Sequence, residues 1–244
     1  KKDFKKASEM QQATATDFAQ LLDMVATAHP KMRIRFSTSN PQDMHEEVLH
    51  VVAKHENICN HIHLPVQSGS TRILKEMNRQ HTREEYMKLI DRIWEIIPGC
   101  AISQDMIVGF PTETEEDHKE TLSLMEYVKY DFGYMYKYSE RPGTMAARKL
   151  EDDVPEETKS RRLTEIVDLQ QKHSAIRTAE FLGKTVTVLI EKESKKNKDE
   201  WSGRTEHNNV TVFPKGDYKP GDFVKVKIND CTTATLIGEA VGYS

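Results

Sequence analysis

Residues 61–79 read HIHLPVQSGSTRILKEMNR. An apolar, strand-like run, HIHLPVQ (61–67), ends in Gln67-Ser68-Gly69-Ser70 and passes directly into a short helical pattern, with Arg79 twelve residues beyond Gln67. Ser70 suits the N-cap of that helix, where a hydroxyl can accept from a free backbone amide. Helix capping leaves Gln67 unexplained. An amide carboxamide at the end of a buried strand needs hydrogen-bond partners, and a ligand would supply them.

The same rhythm repeats on both sides. Three further segments read as strands buried on both faces: RIRFSTS (33–39), AISQDMIVGF (101–110) and FGYMYKYS (132–139). Helical patterns alternate with them: DFAQLLDMVATA, HEEVLHVVAKH (45–55), TREEYMKLIDRIWEII and TEEDHKETLSLMEYVK. In the third, Tyr86, Leu89, Ile90, Ile93, Trp94 and Ile97 fall at helical spacing, and Thr82 with Glu85 forms a capping box. In the fourth, Thr121, Leu122, Met125 and Val128 share a face. Strand followed by helix is the pattern of a parallel sheet of βα units, curled by crossover handedness into a barrel or an open sheet. Four units are too few to close a barrel. The absent strands are expected before Lys1, which makes the chain the C-terminal part of a larger protein.

After Arg148 the pattern changes. EDDVPEETKSRRLTEIVDLQQKHSAIRTAEFLG reads as one long polar connecting helix, with Pro155 near its start and Gly183 past its end. Leu163, Ile166, Val167 and Ile176 form a thin apolar stripe on it. From Lys184 onward, KTVTVLIEKE, NNVTVFP, DFVKVKIND and ATLIGEAVG alternate apolar and polar residues between turn signals. Short antiparallel strands of this kind predict a small barrel of the oligonucleotide-binding type. Three segments result: 1–150 with parallel βα units, 151–181 as connecting helix, and 182–244 as a small all-β barrel.

Composition narrows the function. The formal charge is −4, with 37% hydrophobic and 30% charged residues. There is no bulk basic character, so any RNA contact must use a local patch. No apolar run is long enough to span a membrane and no signal peptide is visible. Cys59, Cys100 and Cys231 are far apart and form no CxxC or CxxxCxxC spacing; they read as small buried thiols in a reducing cytoplasm. No HExxH, Walker loop or GxGxxG occurs, and no metal site is assigned.

In parallel βα folds, sites collect at the carboxyl ends of strands. Here those ends are Ser37-Thr38-Ser39-Asn40, Gln67-Ser68-Gly69-Ser70, Gly109-Phe110-Pro111 and Ser139 to Thr144. Asp105 sits inside an apolar strand, where a carboxylate is costly unless paired. Arg79 offers a planar fork suited to a carboxylate. The aromatic run Phe132, Tyr134, Tyr136 and Tyr138 reads mostly as core, with Tyr138 and Arg141 near enough to the strand end to meet a base. His61 and His63 share a strand face and read as structural groups.

The blocks HLPVQSGSTRILKEMNRQHTREEY, DMIVGFPTETEEDHKETL, YSERPGTMAA and SGRTEHNNVTVF, in this order, resemble the methylthiotransferase branch of the radical S-adenosylmethionine (SAM) enzymes, from about Arg33 to the end. The resemblance implies an α/β fold: a partial radical SAM TIM-like barrel holding strands three to six, plus a small TRAM/OB-like RNA-binding barrel. It implies a full-length cytoplasmic enzyme with two 4Fe-4S clusters that uses SAM twice, once to methylate a sulfur and once to make a 5′-deoxyadenosyl radical. The substrate would be N6-isopentenyladenosine in the tRNA anticodon stem-loop, methylthiolated at C2. Siblings that modify N6-threonylcarbamoyladenosine or a ribosomal-protein aspartate, and an RNA-binding module without catalysis, are the alternatives. The cluster cysteines are absent from this sequence, so this chain by itself is expected to hold no cluster and to need the missing N-terminal part of the same enzyme.

The resemblance also implies residue roles. Gln67 with Ser68, Arg79 and Asp105 would bind SAM, Arg79 on the methionine carboxylate. Ile107, Val108 and Gly109 would flank the adenine. Tyr138, Ser139 and Arg141 would contact substrate, and Lys195, Lys196, Arg204, Thr205, His207 and Asn208 would form the RNA patch. Thr112 stands where the family usually has glycine; that turn must work at negative φ or be strained.

Overall fold

The computed structural model describes residues 16–38 and 40–244. Residues 1–15, and Ser39 of the first expected strand end, lie outside the described residues. Three parallel strands form the first sheet, in the order β1 (His61–His63), β2 (Ala101–Val108), β3 (Phe132–Lys137). His61 pairs with Ala101, and Ser103 with Phe132. The helices are α1 (Phe18–Ala28), α2 (Glu46–Lys54), α3 (Thr71–Glu76), α4 (Arg83–Ile96), α5 (Glu115–Val128), α6 (Met145–Lys149) and α7 (Glu156–Ala179). The capping box expected at Thr82 is formed: Glu85 N donates to Thr82 Oγ1 at 3.1 Å and Thr82 N to Glu85 Oε2 at 2.8 Å.

The sheet is two-faced, not buried on both sides as its apolar strands predict. Ile62, Leu64 and Val66 point outward with Ile102, Met106 and Val108, and the helices cover them with Leu49, Ile90, Ile93, Leu124 and Met125. The opposite, inner face carries His61, His63, Ser103, Asp105, Phe132, Tyr134 and Tyr136. Tyr134 and Tyr136 are 55% and 53% exposed, so the aromatic run is not core. They lie on β3, whose inner face has no covering layer among the described residues.

Of the segment 33–39, the described residues 33–38 do not form a strand either. It makes one isolated bridge, Ile34 to Ile58, through Cys59 N to Ile34 O at 2.9 Å and Ile34 N to Asn57 O at 2.8 Å. Its arginines turn toward the small barrel, where Arg33 donates to the carbonyls of Arg204 and Thr187 and its guanidinium lies 5.0 Å from the centre of the Phe223 ring.

α7 packs along β3 and α5, but its buried stripe is polar: Lys159, Arg162, Gln170, His173, Ser174 and Thr178 are buried with Ile166. Ile176, expected on the apolar stripe, is 53% exposed. The face docks on loop backbone as well as on side chains such as Glu113, which Arg162 pairs at 2.8 Å. Gln170 Nε2 donates to Tyr130 O at 2.8 Å and Ser174 Oγ to Asp131 O at 2.7 Å.

Beyond α7, five strands close a barrel in the order β4 (Thr185–Glu193), β5 (Glu200–Arg204), β6 (Val210–Pro214), β8 (Thr235–Tyr243), β7 (Phe223–Cys231). The sequence signals only four of them. β5 is short and contains Gly203, where a Cβ would stand 2.2 Å from Leu189 O; only glycine lets β4 and β5 approach this closely. One pair, β6 with β8, is parallel, in contrast to the expected antiparallel pattern. Val188, Ile190, Phe213, Val224, Val226, Ile228 and Leu236 fill the interior.

Candidate functional site

The carboxyl ends of the three parallel strands open into a cavity of about 740 Å³. Its wall brings together Gln67, Arg79, Asp105, Ile107, Tyr138, Ser139 and Arg141 from the sequence-based set. Phe110, named only as part of a strand end, and Tyr136, expected mostly as core, also line it, as do Glu76, Met77 and Lys137, which carry no expectation from the sequence. Their only signal was nearness to strand or helix ends.

The QSGS turn explains how Gln67 reaches the cavity. Gly69 sits so close to α5 that a Cβ would stand 2.4 Å from Thr121 Cα, and its amide donates to Thr121 Oγ1 at 2.9 Å. Ser68 is fully buried, with its hydroxyl 3.4 Å from that of Thr121. Ser70 holds the N-cap position of α3, yet its hydroxyl makes no cap bond; it donates to Asp117 Oδ1 at 2.6 Å. Ser68, Gly69 and Ser70 are therefore small because α5 passes over them. Gln67 is held apart at φ 75°, clamped by Gln67 N to Asp105 O and Ile107 N to Gln67 O, both 2.9 Å.

Arg79 arrives by a different device. α3 ends in a Schellman motif: Asn78 adopts φ 57°, Asn78 N donates to Lys75 O at 3.0 Å and Arg79 N to Leu74 O at 2.8 Å. The reversal brings the guanidinium back to the strand ends. Burial lowers its pKa, and the nearby Asp105 charge opposes that shift.

Asp117 braces the turn from outside the cavity. Burial alone would raise its pKa, but hydrogen bonds from Arg72, Ser70 and Thr114 hold the carboxyl well below the usual range. Val108 and Gly109 do not line the cavity. Gly109, at φ 69°, lies against Lys159, and its amide donates to Glu113 Oε2. Thr112 takes the strained alternative at φ 70°. Its amide donates to Asp153 Oδ1 at 2.7 Å, and Arg72 donates to both its carbonyl and its hydroxyl.

The cavity's donor set fits SAM. A half-buried guanidinium can meet a carboxylate, a carboxylate can meet an ammonium or ribose hydroxyls, and Ile107 and Phe110 offer apolar surface for a base. It does not fit an iron–sulfur cluster. No cysteine lines the cavity; Cys59 and Cys100 are buried elsewhere and Cys231 lies in the small barrel. Among the described residues, no group of three or more His, Cys, Asp or Glu side chains could hold a metal.

A second cavity, of about 410 Å³, opens on the small barrel beside Lys192, Lys195, Lys196, Ser202 and Arg204. Lys192 escaped the sequence reading because alternation puts it in phase with the inward Val188 and Ile190; a register shift between Ile190 and Lys192 turns it outward. The other patch residues do not present themselves there. Thr205 is buried and bonds Asn209; Asn208, at φ 68°, accepts from Arg204 Nη1 at 2.9 Å; and His207 packs edge-on to Phe181 at 5.5 Å. They build the loop that holds Arg204 and meet the end of α7.

Residues 10–125 match the family model described as the radical SAM superfamily, and residues 179–241 match the TRAM domain. The chain thus contains a radical SAM domain, with a TRAM domain following the parallel sheet. It is 72% identical over 244 residues to the tRNA-2-methylthio-N(6)-dimethylallyladenosine synthase of Flavobacterium johnsoniae, covering 100% of this chain and 51% of that protein. The protein of the same name from Karelsulcia muelleri is 54% identical over 239 residues, covering 98% of this chain and 52% of that protein. The chain thus spans about half the length of the curated relatives it matches. Escherichia coli coproporphyrinogen III oxidase, a radical SAM enzyme, superposes with a TM-score of 0.53 at 16% identity, over 78% of this chain and 52% of that one; this likeness concerns the fold. No helix among the described residues is long and apolar enough to cross a membrane.

Proposed function

We propose that the chain is the SAM- and RNA-holding part of a tRNA methylthiotransferase, acting in the cytoplasm at C2 of N6-isopentenyladenosine in the anticodon stem-loop. The observation that carries this reading is the convergence of Gln67, Arg79 and Asp105 on one cavity at the strand ends, in a chain so similar to the relatives above. Bound SAM would supply the methyl group and the radical chemistry. The chain's own residues bind and orient: Arg79 forks onto the methionine carboxylate, Asp105 and Gln67 hold ribose and amino groups, and Ile107 and Phe110 flank the adenine. Tyr138, Ser139 and Arg141 stand at the rim, where the tRNA base would enter. The basic groove on the TRAM barrel would hold backbone phosphates. The cluster ligands belong to residues outside this chain.

In the full-length protein, Arg79→Ala should weaken SAM binding by about 1.5–3 kcal/mol, the value of a hydrogen bond to a charged group. Equilibrium dialysis with labelled SAM reads this directly, and unchanged affinity would remove Arg79 from the site.

A further inference from the structure

The inner face of the sheet carries a polar file that the proposed reaction does not use. Ser103 Oγ lies 2.9 Å from His61 Nε2 and 2.9 Å from His63 Nδ1. His63 Nε2 lies 3.6 Å from Asp105 Oδ2, long for a hydrogen bond but within reach of its charge. The parallel register places Ser103 opposite His63, so the three side chains share one face by construction. His61 is buried against Phe132, ring over ring at 5.2 Å, and His63 meets the edge of Tyr134 at 6.5 Å.

Proton bookkeeping gives this file one direction. An ionised Asp105 can only accept, so His63 must present Nε2–H toward it. Its Nδ1 then carries the lone pair and accepts from the Ser103 hydroxyl. The Ser103 oxygen in turn accepts from His61 Nε2–H, which suits an imidazole kept neutral by burial, its pKa pushed down to about 3. Every donor in the file points toward the cavity, and the carboxylate at its end sets the tautomers.

We propose that His63 is a positioning residue for Asp105: Ser103 and His61 lock its imidazole in the tautomer whose Nε2–H faces the carboxylate and keeps it turned into the cavity toward an adenosyl ligand. This proposal rests on the reading of the cavity as a SAM site. It gives His63 the role that outer partners play for ligating groups, orienting a side chain without touching the ligand.

The test is SAM affinity of the full-length protein, measured by equilibrium dialysis with labelled SAM. Asp105→Asn and His63→Leu should each weaken binding about tenfold, as for loss of one charged contact in a coupled pair. The double variant should be no worse than Asp105→Asn alone, because His63 acts only through the Asp105 carboxylate. His63→Gln, whose amide nitrogen can reach the place of Nε2–H, should restore affinity to within about threefold of wild type. It also separates a folding defect from a lost donor. Binding that Asp105→Asn weakens and His63→Leu leaves intact, additive losses in the double variant, or no rescue by His63→Gln would overturn the role of His63 and leave the cavity reading standing. Absence of SAM binding by the wild-type protein would overturn both.

Discussion

Gln67 and Thr112, at the carboxyl ends of β1 and β2, both adopt positive φ although neither is glycine. Such a residue costs about 1–2 kcal/mol relative to right-handed backbone, so something must hold it there. For Gln67 it is the ladder on either side, and the result is a side chain in the cavity. For Thr112 it is Arg72 and Asp153, and the side chain stays outside the cavity. The strain at Thr112 therefore has no ligand to serve. Thr112→Gly should raise stability by about 1 kcal/mol, read as a higher urea midpoint at unchanged slope. An unmoved or lower midpoint would mean that the Arg72 bond to the hydroxyl outweighs the strain. At this scale the sequence was partly legible. Gln67 stood out because capping could not account for it, and Arg79 because its spacing matched the family. The reason for Ser68, Gly69 and Ser70 was not legible, since it lies in α5, some fifty residues away in the chain.

The elements show where periodicity succeeds and where it misleads. α4 was readable because its buried face, Tyr86, Ile90 and Ile93, is apolar, and α5 because Leu124, Met125 and Val128 keep an apolar stripe beside the buried Asp117, His118 and Thr121. α7 was readable as a helix but not in its orientation, because its buried face is built of Lys159, Arg162, Gln170 and Ser174. Arg162 and Glu113 form an ion pair with side chains 5% and 0% exposed. Burial raises the Glu113 pKa against the pull of the Gly109 amide and Arg162. Further along, Asp131 just before β3 accepts from Ile102 N at 2.8 Å, with Arg177 of α7 at 3.8 Å. Burial pushes its pKa up to about 6, against the charge of Arg177. A carboxyl raised on folding binds its proton more tightly in the native state. Its contribution is thus complete below the unfolded value near 4 and is lost as pH rises toward about 6. Asp131→Asn should abolish that loss and stabilise the protein by about 1–3 kcal/mol at pH 7, with little effect at pH 4. Parallel denaturation curves for the two proteins from pH 4 to 7 check it; an equal difference at every pH would exclude titration of Asp131 as the cause.

Across the whole molecule, the change from βα units to short alternating strands marked two halves clearly. Less legible was how they join, because the joint uses carbonyls. Arg33 reaches the backbone of Arg204 and Thr187, and Thr178 Oγ1 donates to Thr233 O at 3.1 Å. Neither residue type advertises such a partner. The RNA patch was over-read for the same reason: Thr205, His207 and Asn208 are polar, but they serve their own loop and the joint. Lys195 and Lys196 remain exposed on the groove. Reversing both charges in the full-length protein should lower tRNA affinity at low salt and reduce the salt slope by about one to two units. Filter binding across a salt series gives both quantities, and an unchanged slope would take these lysines off the RNA path.

α7 touches the cavity rim at one end, where Lys137 pairs with Glu156, and the TRAM barrel at the other, through Thr178. It has 24 residues, which at 1.5 Å each make a rod of about 36 Å. Its buried face is pinned to the carbonyls of Glu113 and of Lys129 to Asp131, just before β3, so the rod can neither slide nor roll freely. On the proposed function it would work as a ruler: a molecule gripped by the basic groove could offer the cavity only those atoms that lie one fixed span away. Selection of the reacting position would then begin with length, before any base is recognised by its chemistry.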